Sequence, residues 1–368
     1  MIKLLADQNL YKLDQFLPKE VDVTYYNPNE QTPSPKGFDA WLLRTVTRVN
    51  AQTLTDPPPS LQFIGTGSAG SDHLDIEYLE NHQIKVVDAK GCNAQAVAEY
   101  VLTALIILQE KHGIDFRNMR IGVIGVGAVG TAVSDLLSRF GCDLVLYDPP
   151  RALRDPSFKS AEMVELQQCD ILTLHVPFIE HGEWKTQNMI DENFLAGNRF
   201  EVFINAARGG VTDEKAVLNA FEKGRISYLI TDVWENEPTF NVELAKNSFI
   251  ATPHIAGYSE QAKLNASSMI AEKLCSFFDL DFAPNLRHEV KEILLAELTY
   301  SLLDLITRCH PMLEYDAALR DLIGRDDNAK LFAKLRTDRP YRYEYPNIRL
   351  KGVNLSEFPV LKLLGVNV

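Results

Sequence analysis

Short apolar runs separated by polar, Pro-rich loops occupy the first quarter of the chain. Residues 2–6, Trp41-Leu42-Leu43, Leu61-Gln62-Phe63-Ile64 and Ile84-Lys85-Val86-Val87 have the length and content of strands. Residues 27–37 and 56–60 are the loops among them, which predicts a small α/β domain over 1–92. The stretch 93–112 is different: it contains no Gly or Pro, is apolar nearly all round and starts at Asn93, a candidate N-cap. That composition predicts a long buried helix. From Arg120 a strand-loop-helix rhythm repeats, with strands expected at 121–124, 144–147, 171–174, 202–204, 228–231 and 249–251 and helices between them, as at 213–222. Such alternation implies a parallel sheet with crossover helices. Asp148, His175, Arg208, Asp232 and His254 follow the strand ends, the edge where open parallel sheets bind ligands. A helix is expected from Asn265 to about Leu280. Beyond it Val290, Leu294, Leu298, Leu302, Leu305 and Cys309 recur at helical spacing and predict one buried stripe. The remainder, through Tyr341-Arg342-Tyr343-Glu344-Tyr345 to the apolar end at 360–368, reads as a small third domain with strands.

Composition narrows the functional classes. The 368 residues suffice for two or three domains, and 46% hydrophobic with 24% charged residues is ordinary for a folded globular chain. The 37 Lys and Arg against 50 Asp and Glu give a formal charge of -13, so no chain-wide basic field attracts nucleic acid or an anionic membrane. No apolar run approaches the roughly 20 residues of a membrane span, and Asp7 comes too early for a signal peptide, so a cytoplasmic location is expected. The five cysteines are scattered and form no C-x-x-C, which predicts neither disulfides nor a zinc or other metal site.

One segment carries a specific mechanism. Arg120-Ile121-Gly122-Val123-Ile124-Gly125-Val126-Gly127-Ala128-Val129-Gly130 runs from a strand into G-x-G-x-x-G and on into a helix. Gly125 permits the tight turn, Gly127 lets the backbone approach a pyrophosphate, and Gly130 lets helix and strand pack closely. Asp148 ends the next strand, placed to bond ribose hydroxyls and to repel a 2′-phosphate, which favours NAD; Arg151, three residues on, leaves NADP open.

Three later strand ends each offer a reactive group: Arg208 in Asn205-Ala206-Ala207-Arg208-Gly209-Gly210, Asp232 and Glu237 in Asp232-Val233-Trp234-Glu235-Asn236-Glu237-Pro238, and His254 in Thr252-Pro253-His254-Ile255-Ala256-Gly257. Together they suit oxidation of a 2-hydroxy acid. A histidine takes the hydroxyl proton, a carboxylate favours the imidazolium formed, and a guanidinium binds the substrate carboxylate bidentately. Asp232 fits an N-cap for the following turn as well as a group near the nicotinamide, and His175 fits a structural histidine as well as a cover for that ring.

This ordered set of motifs resembles the D-2-hydroxyacid dehydrogenase family over residues 1 to about 285. The resemblance implies an α/β chain: a Rossmann-type doubly wound parallel sheet domain, a flavodoxin-like substrate domain, and catalysis by Arg208, Glu237 and His254. It implies NAD held at Gly125, Gly127, Val129, Gly130, Asp148, His175, Ala206, Asp232 and Gly257. The stretches 65–73, 91–94, 148–151 and 237–244 resemble family members whose substrate bears both a carboxylate and a terminal phosphate, and which carry a small C-terminal α+β domain for dimerisation. Matching positions imply substrate contacts from Thr45, Thr66 and Tyr258, with Arg44 or Arg48 supplying charge. The implied layout is a substrate-binding domain at 1–92, an NAD-binding domain at 93–257, a return segment at 258–285 and a dimerisation domain at 286–368, with a second copy of the chain as partner. Ala207 and Gly210 stand where Cys and Ala are common in the family, and both are small. The alternatives are a phosphoglycerate dehydrogenase or another 2-hydroxyacid dehydrogenase, and an NAD-sensing, corepressor-like binding protein.

Overall fold

The computed structural model describes residues 1–30, 32–284, 289–295 and 299–368. It divides into two compact units, one made of Met1–Asn93 and Glu260–Glu289, the other of Ala94–Ser259 and Val290–Val368.

The first unit is a five-stranded parallel sheet of β1 (Ile2–Asp7), β2 (Val21–Tyr26), β3 (Ala40–Leu43), β4 (Phe63–Thr66) and β5 (Lys85–Asp88) in the order β2-β1-β3-β4-β5. Strand alternation sends Leu4, Ala6, Leu42 and Phe63 to one face, where Leu264, Ile270 and Leu274 of the helix Glu260–Phe277 cover them. Leu5, Trp41, Leu43 and Ile64 point to the other, against Leu79 of the helix Ile76–Asn81. With both faces covered, the inner strands are apolar without interruption, which is why they stand out in the sequence as runs.

The second unit holds a six-stranded parallel sheet of β6 (Arg120–Ile124), β7 (Asp143–Tyr147), β8 (Ile171–Leu174), β9 (Phe200–Asn205), β10 (Ile226–Thr231) and β11 (Ile250–Ala251) in the order β11-β10-β9-β8-β6-β7. All six expected strands form. The chain leaves β6 for β7 on one side and returns to β8 on the other, so the order reverses at β6, the crevice where nucleotides bind in such sheets. The long helix forms as Ala94–His112 and is buried from Ala96 to Leu108. Asn93 does not cap it, since its buried Oδ1 has no hydrogen-bond partner among the described residues.

Residues 290–368 belong to this second unit. The helices Leu302–Cys309, Met312–Arg320 and Asn328–Thr337 and a parallel pair, β12 (Lys291–Leu294) and β13 (Ile348–Lys351), form there. Leu305, Ile306, Tyr345, Ile348 and Leu350 share a core with Val101, Leu105 and Ile106 of the long helix. Polar ties cross the same core: Thr103 Oγ1 and the Tyr345 hydroxyl lie 2.7 Å apart. Arg342 meets Glu99 at 2.7 Å with both side chains buried, and also donates to the Ala96 carbonyl.

The stripe expected over 290–309 is corrected. Val290 and Leu294 are exposed, because Lys291–Leu294 is a strand paired residue for residue with Ile348–Lys351. Leu298 lies outside the described residues. Helix begins at Leu302, and there Leu305 and Cys309 are buried as expected. Pairing with a strand far along the chain overrode the helical spacing.

His310 follows this helix, fully buried, with neither ring nitrogen hydrogen-bonded among the described residues. Burial, and then the Arg342 charge, push its imidazole well below the ordinary value of 6.5. Below that pH the unfolded chain takes up a proton that the folded chain refuses, so stability falls as pH falls. Replacing His310 with Phe should therefore reduce the stability lost between about pH 7.5 and pH 5.5 by roughly 1 kcal/mol. Denaturant unfolding at the two pH values measures this, and equal losses in both proteins would remove the attribution.

Candidate active site

The glycine turn between β6 and the helix Ala128–Arg139 is built as its sequence demands. Gly125 has φ +85, and a Cβ there would come within 2.8 Å of the Val176 nitrogen. A Cβ on Gly130 would lie 1.9 Å from the Gly125 carbonyl oxygen, so helix and strand touch at backbone level. Gly127 has nothing within 4 Å of its would-be Cβ and caps the helix without a side chain. The first-turn N–H groups thus remain available to an anion, beside Val129. The residues present fit a dinucleotide.

Asp148 ends β7 and steadies the same turn. Its Oδ2 accepts the Val126 N–H at 2.8 Å and its Oδ1 accepts the Arg151 N–H at 2.9 Å. The Arg151 guanidinium donates to the Val126 carbonyl at 2.7 Å and to Thr131 Oγ1 at 3.1 Å, and packs over the Phe158 ring. It clamps the fold, which weakens the case for a 2′-phosphate that its sequence position left open. His175, just after β8, has Nε2 2.9 Å from Thr173 Oγ1, while its buried Nδ1 has no partner among the described residues. Burial pushes its pKa down to about 3, so the ring is neutral, with one polar atom left for a ligand.

The reactive groups gather at the C-terminal ends of β9, β10 and β11. His254 Nδ1 lies 2.8 Å from Glu237 Oε2 and 3.0 Å from Oε1. The Trp234 N–H donates to Glu237 Oε1 at 3.0 Å. Burial raises the Glu237 carboxyl, but the His254 charge and hydrogen bond, the Trp234 N–H and the Arg336 charge together hold it below the ordinary carboxylate range. It therefore stays ionised and accepts the Nδ1–H, which leaves Nε2 of His254 as the basic nitrogen.

His254 has φ +57, an unfavourable conformation for a residue with a Cβ. Asp232 holds it there. The Asp232 carbonyl accepts the His254 N–H at 2.7 Å, and its carboxylate accepts Ile255 N–H at 2.7 Å, Ala256 N–H at 2.9 Å and the Thr252 hydroxyl at 2.7 Å. The Tyr100 hydroxyl lies 2.7 Å from Thr252 Oγ1 and extends this network to the long helix. Burial raises the Asp232 carboxyl, with the His254 charge and these donors opposing. Asp232 thus organises the 252–256 loop, with Gly257 next in the chain.

Arg208 follows Ala206 and Ala207 beyond β9, and its Nη1 donates to the Ala207 carbonyl at 2.8 Å. The next residue, Gly209, abuts Trp234: a Cβ there would be 2.0 Å from the Trp234 carbonyl oxygen. That approach sets the Arg208 loop against the turn bearing Glu237. Tyr258 has its ring centre 6.4 Å from that of Tyr341 and 5.8 Å from the Arg336 guanidinium carbon.

In the first unit, Thr66 ends β4 fully buried, its Oγ1 3.0 Å from His73 Nε2. Burial takes the His73 pKa down to about 4. Thr45 is exposed in the turn after β3, and the Arg44 Nε donates to the buried Asp7 at 2.9 Å. The sequence alone assigns no role to His73, Tyr100, Thr252 or Arg336, although His73 and Thr252 lie in stretches that carry the resemblance. All five cysteines are free, and among the described residues no His, Cys, Asp or Glu cluster could hold a metal ion.

A glycine-turn parallel sheet with a histidine–carboxylate pair at its ligand edge defines a nicotinamide-dinucleotide dehydrogenase. Residues 96–256 match the family model described as D-isomer specific 2-hydroxyacid dehydrogenase, NAD binding domain. An erythronate-4-phosphate dehydrogenase of Bacteroides fragilis is 34% identical over 348 residues, 93% of this chain and 97% of that protein. Another, of Proteus mirabilis, is 34% identical over 380 residues, 100% of this chain and 99% of that one. A D-lactate dehydrogenase of Aquifex aeolicus, solved with NAD and lactic acid, shares the fold at 23% identity and TM-score 0.56, covering 75% of this chain and 95% of that one. The chain belongs to the D-isomer specific 2-hydroxyacid dehydrogenase family. It is an NAD-dependent dehydrogenase.

Two outcomes follow from this geometry. Gly130→Ala should weaken NADH binding roughly tenfold or more, read by fluorescence titration, because its methyl must displace the Gly125 carbonyl. His254→Ala should lower kcat about 10²- to 10⁴-fold, and Glu237→Gln should lower it by less with NAD affinity kept. Stopped-flow turnover measures both, and full activity in His254→Ala would discard the proton-transfer role.

Proposed function

We propose that this dehydrogenase oxidises 4-phospho-D-erythronate to (R)-3-hydroxy-2-oxo-4-phosphooxybutanoate, a step toward pyridoxal 5′-phosphate. The observation that carries the chemistry is the 2.8 Å His254–Glu237 pair beside the Arg208 loop on a dinucleotide fold. The substrate identity is supported by the full-length likeness to the Bacteroides and Proteus proteins.

Held at the turn of Gly125, Gly127 and Gly130, NAD would supply the acceptor for the hydride that leaves C2 of the acid. His254 Nε2 takes the hydroxyl proton as the C2–O bond becomes a carbonyl. Glu237 favours the imidazolium so formed and fixes the tautomer, and Arg208 binds the substrate carboxylate and polarises the developing carbonyl. Arg44, Thr45, Thr66 and Tyr258 bind the rest of the substrate, with hydroxyl and charged donors suited to a polyhydroxy phosphate. The cofactor contacts are those of Gly125, Gly127, Val129, Gly130, Asp148, His175, Ala206, Asp232 and Gly257. Residues 1–92 and 258–285 serve the substrate, 93–257 serve NAD, and 286–368 serve dimerisation in a cytoplasmic homodimer, which light scattering measures directly.

Steady-state kinetics test the reading. The expected result is a kcat/KM for 4-phosphoerythronate well above that for 3-phosphoglycerate, and an Arg208→Ala protein reduced roughly 10²-fold or more on either acid. Preference for 3-phosphoglycerate would replace the named substrate. NAD binding without turnover of any 2-hydroxy acid would instead favour a corepressor-like binding protein.

A further inference from the structure

The C-terminal segment reaches the catalytic turn through a stack of rings. Phe332, in the helix Asn328–Thr337, is fully buried and stacks on Phe240 with centres 5.9 Å apart. Phe240 meets Trp234 edge-on at 5.6 Å, and the Trp234 backbone holds Glu237. This helix is thereby keyed to the turn that carries Glu237. Arg336 comes one turn after Phe332, on the same helix face. Its guanidinium carbon lies 5.8 Å from the ring centres of both Phe332 and Tyr258.

Aromatic faces orient that guanidinium but accept none of its hydrogen bonds. Among the described residues it has no hydrogen bond or ion pair. Other arginines of the segment are engaged: Arg320 by Asp316 and two carbonyls, Arg339 by Glu314 and Tyr315, Arg342 by Glu99. Arg44, which with Arg48 is one of the two cations expected from sequence to supply charge for the phosphate, gives its Nε to Asp7. The positive charge of Arg336 is among the causes that hold the Glu237 carboxyl below the ordinary carboxylate range. Five N–H donors on a permanently charged plane, held by rings at the edge of a site, match the oxygens of a phosphoryl group.

We propose that Arg336 is a substrate-binding residue that holds the terminal phosphate of the acid, so that the C-terminal segment supplies the selectivity for a phosphorylated substrate. This rests on the reading of the substrate given above. A residue that only tuned Glu237 would act alike on every 2-hydroxy acid, whereas one that holds phosphate acts on the phosphorylated acid alone.

The test compares 4-phosphoerythronate with D-erythronate in the wild type, Arg336→Ala and Arg336→Lys, with calorimetric titration of the NAD-loaded proteins beside the kinetics. In Arg336→Ala the ratio of kcat/KM values between the two acids should collapse by roughly 10- to 100-fold, mainly through KM, with partial recovery in Arg336→Lys. An unchanged ratio, or an equal loss on both acids, overturns the role given to Arg336 while leaving the substrate in place. A wild type that does not prefer the phosphorylated acid overturns the reading of the substrate itself.

Discussion

Asp232 lies out of water at the end of β10, and its carboxylate accepts the Thr252 hydroxyl and the N–H groups of Ile255 and Ala256. A buried carboxylate without partners costs several kcal/mol, so these donors make its burial tolerable. The dependence runs both ways, because the 252–256 loop cannot swing without orphaning the charge. His254 is caught in this lock at φ +57 with Nδ1 turned to Glu237. The strain of that backbone is of order 1 to 2 kcal/mol, less than the surrounding bonds supply. A preorganised imidazole is the result, and Tyr100 ties its loop to the long helix.

The same logic links the C-terminal region to the nucleotide-type sheet. Arg342 and Tyr345 form buried polar contacts with Glu99 of the long helix, and Ser259 donates to Glu344 at 2.7 Å immediately after Tyr258. A buried ion pair contributes little net stability but penalises any arrangement that separates it. Residues 341–345 are therefore held in one register beside the ring of Tyr258.

Much of this was legible in the sequence for physical reasons. Doubly covered parallel strands appear as unbroken apolar runs, so the strands beginning at Arg120 and the buried helix after Asn93 could be placed by eye. The glycine turn was legible because each glycine answers to a separate steric demand, which Gly125 and Gly130 show. Arg208, Glu237 and His254 were singled out because each lies in a segment that follows a strand end. What escaped depends on contacts between distant segments. Lys291–Leu294 is a strand only because Ile348–Lys351 pairs with it. Tyr100 reads as one more residue of a nearly all-apolar helix, and the stretch around Arg336 carries no motif. No local spacing encodes the hydroxyl that Tyr100 turns to Thr252 or the rings that flank Arg336.

The first unit is discontinuous, and this bears on how the protein is made. Leu4, Leu42 and Phe63 find their cover in Leu264, Ile270 and Leu274, yet the 166 residues from Ala94 to Ser259 intervene. At translation rates of roughly 5 to 20 residues per second, one sheet face waits about 10 to 30 s on the ribosome for its lid. During that interval the nascent chain exposes a sticky apolar surface, so a chaperone that shields amino-terminal strands would matter more to the yield of this enzyme than to that of a contiguous domain of equal size.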